Sequence, residues 1–180
     1  MNLDFITSNE HKFREISRYL EKTGIECKWI RTSYEEIQAD TTEEISRDSA
    51  EKISGKRSGK FFLEDTGLYI ESLRGFPGPY SSYVLRTISN RGILNLLNGM
   101  DRSAHFLTVI SYFDGSQVRT FTGKLEGHIS MESRGSTGFG YDPIFIPEGN
   151  DRTLGEMDVE EKNRNSHRIN ALKKFIDFLE

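Results

Sequence analysis

The spacing of apolar residues changes period several times along the chain, and each change predicts an element. The run LDFI near the N-terminus is typical of a short strand. From Glu10 to Gly24 the apolar positions recur at helical spacing, and glycine commonly ends helices. These positions are Phe13, Ile16 and Leu20. Since IECKWI then returns to a strand-like composition, the opening is predicted to run strand, turn, helix and strand.

The middle of the chain is predicted to combine helices with strands. Residues 43–57 resemble a polar, surface-facing helix, whereas FFLEDTGLYIESL contains two strand-like runs interrupted by acids. Helical spacing returns over residues 83–97, where Asn90 is a candidate cap between two segments. Next, two β-rich runs flank Asp114 and Gly115, which both favour positive φ in a turn, so a β-hairpin is expected.

The C-terminal segment SHRINALKKFIDFLE predicts a helix that packs on the core. Its apolar residues share one stripe: Ile169, Leu172, Phe175, Ile176 and Leu179. Because helices occur together with both crossover and hairpin connections, we expect an α/β fold with a mixed β-sheet and flanking helices. The 180 residues, 35% of them hydrophobic, suit one substantial core, so residues 1–180 are expected to form a single domain.

Composition and charge indicate which partners and which cellular compartment are expected for the protein. The net charge is −4 and no long run of Lys or Arg is present, so no nucleic-acid partner is expected. The N-terminus does not resemble a secretory signal, and no apolar stretch reaches the roughly 18 residues of a membrane span. We therefore expect a cytoplasmic protein without a membrane partner. Cys27 is the single cysteine, and the four histidines lack the close spacing of a zinc site.

Cations stand at two predicted helix starts, where they oppose the helix dipole. Asn9 is a good N-cap, which places Lys12 at the third helical position. Ser166 is the expected cap of the last helix, whose first turn holds His167 and Arg168. Each such cation costs a few tenths to about 1 kcal/mol, so removing Lys12 is expected to leave the free protein equally or slightly more stable. Solvent screening explains one such cation, but its repetition at a second helix favours a site that binds an anion or a carbonyl group.

The segment TSNEHK adds hydrogen-bond donors to this predicted anion site. Thr7, Ser8 and Asn9 offer hydroxyl, amide and backbone groups. The segment is not a Walker loop, because it lacks the glycines and the Gly-Lys-Ser/Thr ending of that motif.

Two pairs of acids are candidate ligands for a cation. Glu64 and Asp65 end a strand that looks buried, although Asp-Thr-Gly is equally typical of a simple turn. Glu35 and Glu36 form the second pair, for which a solvated surface is the competing interpretation. Carboxylates with water are the usual ligands of Mg²⁺, which commonly bridges to substrate phosphates.

The segment GFGYDPIF, residues 138–145, presents aromatic rings on a flexible backbone. Its glycines permit close approach of the backbone, which leaves Phe139 able to stack on a planar ligand. Pro143 is expected to hold Asp142 in an extended conformation and so to fix the direction of its carboxylate. On local sequence alone, a Gly-rich turn that enters a strand is the competing interpretation.

These segments together resemble the inosine triphosphate pyrophosphatase family, which hydrolyses non-standard purine nucleoside triphosphates. The resemblance runs nearly end to end and is carried by FITSNEHKFREI, LEDTGLYIESLRGFPGPYSSYV, GFGYDPIFIPEG and GEMDVEEKNRNSHRINAL. It implies two lobes around a central cleft, a homodimer and Mg²⁺ dependence. The implied reaction converts ITP, dITP and XTP to the monophosphate and pyrophosphate, which cleanses the nucleotide pool.

The resemblance also implies roles for individual residues. Asp65 matches the acid that activates water or holds the metal; Glu64 lies beside it, and Glu36 matches a metal-binding glutamate. The implied contacts to the purine nucleoside triphosphate are Thr7, Asn9, Lys12 and Lys52 for phosphate, Phe139, Gly140, Tyr141 and Asp142 for the base, and Lys162, Ser166, His167 and Arg168 for both.

A mechanism and a rule for base selection follow from this reading. Lys12 and Mg²⁺ neutralise the triphosphate while Asp65 orients or deprotonates a water that attacks the α-phosphorus in line. Arg168 or His167 is expected to donate to O6 of the base, and Asp142 to accept from N1–H, directly or through the neighbouring backbone. Adenine has the inverted pattern of donors and acceptors, so it is rejected.

Two other functions fit parts of the sequence. FLEDTGLY resembles the signature of aspartic proteases, but those proteins are essentially all-β, and the helices predicted over residues 10–23 and 167–179 argue against them. A nucleotide-binding sensor would keep the pocket without hydrolysis. Such a sensor has no need of a water-activating acid like Asp65.

Overall fold

In the computed structural model, which describes residues 2–164 and 166–180, seven strands and six α-helices follow one another. The strands are β1 (Asn2–Ile6), β2 (Glu26–Ile30), β3 (Phe61–Ile70), β4 (Pro77–Gly78), β5 (Ser103–Phe113), β6 (Val118–Ile129) and β7 (Phe145–Pro147). The helices are α1 (Glu10–Lys22), α2 (Thr42–Ser54), α3 (Ser81–Thr87), α4 (Ser89–Leu96), α5 (Val159–Arg164) and α6 (His167–Leu179). Short 3₁₀ helices span Glu71–Leu73, Asp142–Ile144 and Leu154–Glu156.

The strands form one mixed sheet in the order β2-β1-β3-β5-β6-β7, with β4 paired to β3. β1 runs parallel to both β2 and β3, and Phe5 of β1 lies opposite Phe62 of β3. β3 and β4 pair antiparallel, as do β6 and β7. The predicted α/β fold with a mixed sheet is therefore confirmed, and an all-β protease fold is excluded. The cleft that the family resemblance implies stays a prediction.

The chain divides into two compact units. Unit 1 comprises the chain up to Asp65 together with Thr108–Gly123 and Arg168–Glu180, and unit 2 comprises Thr66–Leu107 and Lys124–His167. In unit 1, alternate strand residues face different helices, as the pleat of a strand requires. Phe62 packs in a core with residues of α1 and α6, whereas Phe61 and Leu63 pack with Ala50 of α2. We call these the α1/α6 face and the α2 face of the sheet.

Two predictions are wrong in this part of the chain, one for a strand and one for a helix. FFLEDTGLYI is one ten-residue strand, β3, so Glu64 and Asp65 lie within it rather than between two strands. Helix α2 begins after Thr41, whose side chain accepts from Glu44 N in a capping box. It buries Ile45 and four smaller residues, so α2 is not a surface helix; the four are Thr42, Ser46, Ser49 and Ala50.

In unit 2, strand and helix residues share a core that includes Leu68, Val84, Ile93 and Phe145. The helical segment predicted over residues 83–97 is confirmed as two helices, α3 and α4, but Asn90 does not cap the second. Ile88 occupies the N-cap position of α4 without a side-chain hydrogen bond. The side chain of Asn90 instead donates to the backbone oxygen of Gly140.

The predicted hairpin is present between β5 and β6, but its turn differs. Only Gly115 has a positive φ, of 105°, and the connection has four residues rather than two. The Asp114 carboxylate accepts from the backbone N–H groups of Ser116 and Gln117, so a side chain closes the turn. The C-terminal helix is as predicted, since Ile169, Leu172, Phe175 and Ile176 are buried. No helix within the described ranges has the length and apolarity to cross a membrane.

Candidate active site

Glu64 is the centre of a charged cluster on the α1/α6 face of unit 1. Its side chain is 0% exposed, and its Oε2 lies 2.9 Å from Nζ of Lys12. Its Oε1 accepts from Arg168 Nε at 3.3 Å and from the Thr108 hydroxyl at 3.4 Å. Arg168 Nη1 also donates to Glu15 Oε2 at 2.5 Å. A carboxylate withdrawn from water is stable only with such partners, so Glu64 holds two cations from two different helices.

This cluster explains the cations at the two helix starts. Asn9 caps α1 as predicted, because its side chain accepts from His11 N and Lys12 N. Lys12 and Arg168 do occupy first turns, but the buried Glu64 compensates the charge of each. The expectation that the free protein gains or keeps stability without Lys12 is therefore revised: its loss leaves a buried carboxylate with one cation fewer.

Asp65 lies one position along β3, and the pleat directs it to the α2 face. The hydroxyl of Ser46, on α2, lies near the Asp65 carboxylate and acts to lower its pKa, while it is itself hydrogen-bonded to Ser111 Oγ at 2.8 Å. One oxygen of Asp65, Oδ2, is buried and has no hydrogen-bond partner in the described part of the chain. Burial raises the pKa of Asp65 to about 7; Lys12 opposes this shift, while Glu36 and Glu64 add to it. A half-buried carboxylate with an unpartnered oxygen and such a pKa is suited to accept a proton or a cation.

A loop over residues 31–39 brings two further groups to Asp65. Burial and the nearby Asp65, Glu36 and Glu64 carboxylates raise the pKa of the Tyr34 hydroxyl well above its ordinary value. Tyr34 therefore keeps its proton and can donate a hydrogen bond at neutral pH. Glu36 is exposed on this loop and is close enough to Asp65 to raise its pKa. The predicted acids Glu36 and Asp65 thus come together in unit 1.

The predicted metal ligands Glu36, Glu64 and Asp65 do not form one cluster in the structure. Within residues 2–164 and 166–180, no group of three or more His, Cys, Asp or Glu side chains is arranged to hold a metal ion. Glu64 is paired with cations, whereas Asp65 has an unpartnered buried oxygen near the exposed Glu36. The donor set fits Mg²⁺, because this ion commonly takes only one or two carboxylates and fills its shell with water and phosphate oxygens.

The remaining phosphate candidates differ in their surroundings. Thr7 is buried, and its hydroxyl accepts from Asn9 N at 3.1 Å, so it shapes the turn into α1. Ser8 is exposed in the same turn. Lys52 forms an ion pair with Asp48 at 2.7 Å on its own helix, where its side chain is 51% exposed. The structure therefore gives Lys52 a surface partner and no contact of its own with Asp65 or Glu64.

In unit 2, a carboxylate and a lysine hold the segment that is predicted to bind the base. This base segment comprises residues 138–145. Asp142 Oδ2 accepts from Phe139 N at 2.8 Å and from Lys162 Nζ at 2.7 Å. Lys162 Nζ also lies 5.7 Å from the centre of the Phe139 ring, within the range of a cation–π contact. Asp142 opens a 3₁₀ helix and is not extended, so the preference imposed by Pro143 is overridden by these two hydrogen bonds.

Other residues of the base segment act through their backbone or their packing. Gly138 has a φ of 79°, and a Cβ there would lie 2.0 Å from Asp142 Oδ2, so a larger residue would displace the carboxylate. The Tyr141 ring is buried, and its hydroxyl donates to Ser81 O at 2.7 Å. Tyr141 can therefore contact a ligand only through its backbone. Gly140, between the two aromatic residues, has a φ of 68° and open space at the Cβ position.

The segment SHR is divided between the two units. Ser166 and His167 are buried, and the His167 ring stacks on Phe106 with 4.6 Å between ring centres. Arg168 belongs to unit 1, where it binds Glu64 and Glu15. Arg168 thus already binds two carboxylates, which compete with the predicted hydrogen bond from Arg168 to the base.

Sequence reasoning missed four residues that surround Glu64 or Asp65: Glu15, Tyr34, Ser46 and Thr108. Tyr34 directly precedes the acids of SYEEIQAD, which was a usable signal. Ser46 and Thr108 are polar residues at buried positions of α2 and β5, and such positions require a polar partner. Glu15 offered no local signal, because Arg168 lies 153 positions away in the sequence.

The chain is similar to known proteins over almost its whole length. A model of the Ham1 family matches residues 3–178. A protein of Thermococcus kodakarensis named dITP/XTP pyrophosphatase is 52% identical over 180 residues, which cover 99% of this chain and 97% of the relative. A protein of the same name from Pyrococcus horikoshii is 49% identical over the same shares of both chains.

A solved structure shows the same fold. The HAM1 protein from Coxiella burnetii superposes with a TM-score of 0.87 at 29% identity, over 99% of this chain and 98% of that chain. The family resemblance carried by the sequence motifs is confirmed. Because both the family match and the structural match span almost the whole chain, the protein belongs to the Ham1 family.

Proposed function

We propose that this protein hydrolyses non-standard purine nucleoside triphosphates, such as ITP, dITP and XTP, to the monophosphate and pyrophosphate. The proposal rests on Asp65, whose carboxylate has a buried, unpartnered oxygen and a pKa raised to about 7. Relatives that match over almost the full length are named dITP/XTP pyrophosphatase. The whole chain acts as one catalytic domain in this proposal, and it cleanses the nucleotide pool.

The unit 1 residues are assigned to the triphosphate. Lys12 supplies positive charge at the capped start of α1, where backbone N–H groups also favour an anion. Thr7, Ser8 and Asn9 supply further donors, and Lys52 is a candidate for the outer phosphates. Lys12 already has Glu64 as its partner, so the substrate phosphates compete with a buried carboxylate for this cation. That competition favours a highly charged ligand such as a triphosphate over a monophosphate.

Asp65 is assigned to the attacking water. With an ordinary pKa a carboxylate is a weak base, but burial brings the pKa of Asp65 close to neutral, where general-base assistance is most effective. The Ser46 hydroxyl lies near the carboxylate, and Tyr34 offers a proton donor beside it. Asp65 then takes the proton of a water directed at the α-phosphorus, and pyrophosphate leaves.

Mg²⁺ is the cofactor that these residues suit. Asp65 and Glu36 would hold it, since Glu64 is paired with Lys12 and Arg168. When bound, Mg²⁺ would supply charge neutralisation for the phosphates and a lower pKa for water. Lys12 keeps the phosphates close to Asp65, and the ion would give the buried oxygen of Asp65 a partner.

The unit 2 residues are assigned to the base. Phe139 stacks on the purine, while the backbone of Gly140 and Tyr141 and the side chain of Asp142 read its edge. Lys162, which contacts Asp142 and Phe139, is assigned to the base together with Ser166 and His167. A 6-oxopurine presents an acceptor where adenine presents a donor, so fixed polar groups can reject adenine by a large factor.

A nucleotide-binding sensor is the alternative function. It would retain the base segment and Lys12 but release no pyrophosphate. The raised pKa of Asp65 favours the enzyme, because a binding protein gains nothing from a destabilised buried carboxylate. Release of pyrophosphate from dITP in the presence of Mg²⁺ distinguishes the two.

A cytoplasmic homodimer is proposed as the working form of the enzyme. Three aromatic side chains stand exposed around the start of α3, with 40% exposure for Phe76, 40% for Tyr80 and 61% for Tyr83. Aromatic residues are enriched in protein interfaces, and a cluster of them in water is unfavourable. We therefore assign this surface to contact with a second copy of the chain.

Asp65→Asn keeps the shape of the side chain but removes its ability to accept a proton. Pyrophosphate release from dITP is expected to fall by at least roughly 100-fold, a typical size for the loss of general-base assistance. The matched control is Asp177→Asn, at an exposed position of α6, which should retain full activity. Near-normal turnover of Asp65→Asn would show that Asp65 has only a structural role.

The raised pKa of Asp65 also predicts how stability changes with pH. The folded protein binds this proton more tightly than the unfolded chain does, so Asp65 lowers the free energy of unfolding as the pH rises from about 4 through about 7. Asp65→Asn lacks this titration. In urea denaturation with EDTA, the variant should gain stability over the wild type at about pH 8 and lose that advantage near pH 4. A stability difference that is independent of pH would contradict the shifted pKa.

Lys12→Ala tests the phosphate role and the ion pair together. The KM for dITP should rise at least about tenfold because a charge-assisted hydrogen bond is lost. The free energy of unfolding should fall by about 1–3 kcal/mol because Glu64 loses one of its two cations. Lys22→Ala, at an exposed position in the last turn of α1, is the control and should change neither quantity. An unchanged KM for Lys12→Ala would remove Lys12 from the phosphate site.

Tyr83→Glu tests the proposed dimer surface. The variant places a charge at the most exposed of the three aromatic residues, so it should sediment as a monomer at concentrations where the wild type is a dimer. Gln117→Glu adds the same charge at the exposed β5–β6 turn and should leave the dimer intact. A wild type that is monomeric at all concentrations, or a dimeric Tyr83→Glu, would contradict this assignment.

A further inference from the structure

Asn90 has a contact that neither helix capping nor core packing explains. It lies in the first turn of α4 but does not cap the helix. Its Nδ2 donates to the backbone oxygen of Gly140 at 3.1 Å, across 50 positions of sequence. The contact lies wholly within unit 2 and joins α4 to the base segment.

The other end of the same amide gives an independent observation. Oδ1 of Asn90 is buried and has no hydrogen-bond partner in the part of the chain that the structure describes. Buried acceptors are nearly always paired, and an unpaired one costs about 1–3 kcal/mol. Turning the amide over would place Oδ1 against the Gly140 oxygen, which also accepts. The amide orientation is therefore dictated by the need of Gly140 for a donor.

Gly140 is the residue in this segment that most needs such a restraint. It has a φ of 68°, and no atom lies within 4 Å of the position that a Cβ would take. Glycine occupies several backbone regions with similar ease, so the peptide that follows Gly140 is free to rotate unless something holds its carbonyl. Its neighbours are already fixed: the Tyr141 hydroxyl binds Ser81 O, and Phe139 N binds Asp142.

Holding this carbonyl also sets the direction of a backbone donor. In a trans peptide the C=O and the following N–H point in opposite directions. Since the Gly140 oxygen points to Asn90, the N–H of Tyr141 points away from α4. Within residues 2–164 and 166–180, the N–H of Tyr141 has no hydrogen-bond partner. The contact with Asn90 therefore orients the Tyr141 N–H, a backbone donor at the centre of the base segment.

We propose that Asn90 is a positioning residue that sets the selectivity for 6-oxopurines. By holding the carbonyl of Gly140, it keeps the Tyr141 N–H directed as a donor to the keto oxygen of the base. Adenine carries an amino group at that position, so two donors would oppose each other and the base would be rejected. This inference rests on the proposed function, because it takes the segment around Gly140 as the base site.

The test compares binding of two uncleaved nucleotides, dIMP and dAMP, by titration calorimetry. Asn90→Asp is nearly isosteric but places a carboxylate oxygen against the Gly140 carbonyl. An acid in the first turn of α4 is favourable to the helix, so the fold should be retained. Asn90→Ala removes the donor without adding a charge. It therefore separates the loss of the donor from any effect of the charge that Asn90→Asp introduces. Asn95→Asp, at an exposed position of the same helix, is the matched control.

The wild type and Asn95→Asp should both prefer dIMP. In Asn90→Asp and Asn90→Ala the preference should fall at least about tenfold, the equivalent of one lost selective hydrogen bond, mainly through weaker binding of dIMP. The melting temperature of Asn90→Ala should stay close to that of the wild type, whereas that of Asn90→Asp should fall because two buried acceptors oppose each other. If Asn90 had a purely structural role, its substitution would weaken the binding of dIMP and dAMP equally and leave the ratio of their affinities unchanged.

The outcomes separate this inference from the proposed function. A preference for dIMP that survives both Asn90 substitutions would overturn the inference, as would a wild type that does not distinguish the two nucleotides. A wild type that prefers dIMP through Asn90 but releases no pyrophosphate from dITP would keep the inference and remove the enzymatic function. In active enzyme, the same substitutions should raise the KM for dITP and leave kcat within about threefold, because Asp65 is unchanged.

Discussion

The pleat of β3 at Glu64 and Asp65 is the constraint on which the rest of the site depends. Two adjacent carboxylates are directed to opposite faces of the sheet, where they acquire opposite electrostatic surroundings. Glu64 is neutralised by Lys12 and Arg168 on the α1/α6 face. Asp65 is directed to the α2 face, and burial raises its pKa to about 7, although Lys12 opposes the shift. One dipeptide thus supplies a structural counter-ion and a candidate base.

The charge balance of unit 1 follows from this division. Lys12 and Arg168 are fixed before any ligand arrives, because each is bound to a buried carboxylate. Side chains held in place lose little entropy on binding, which favours affinity. Asp65 retains a buried oxygen without a partner, an arrangement that lowers stability and is typical of functional positions. In unit 2, the pair of Asp142 and Lys162 is neutral and fixes the base segment in the same manner.

Elements with a local cause could be predicted from the sequence. The Asn9 cap, the apolar stripe of α6 and the hairpin at Gly115 each depend on residues within a few positions of one another. The partners of Glu64 could not be predicted, because Thr108, Lys12 and Arg168 lie 44, 52 and 104 positions away. Local preferences also failed where a distant contact was stronger. Asp142 precedes a proline and yet begins a 3₁₀ helix, since Phe139 N and Lys162 bind its carboxylate.

The central claim is that a water activated by Asp65 attacks the α-phosphorus of a nucleoside triphosphate. The most direct measurement is hydrolysis of dITP with Mg²⁺ in ¹⁸O-labelled water, followed by mass analysis of both products. We expect one ¹⁸O atom in dIMP and none in pyrophosphate, because the bond that breaks lies between the α-phosphorus and the bridging oxygen. Label in pyrophosphate, or products identified as dIDP and inorganic phosphate, would contradict attack at the α-phosphorus.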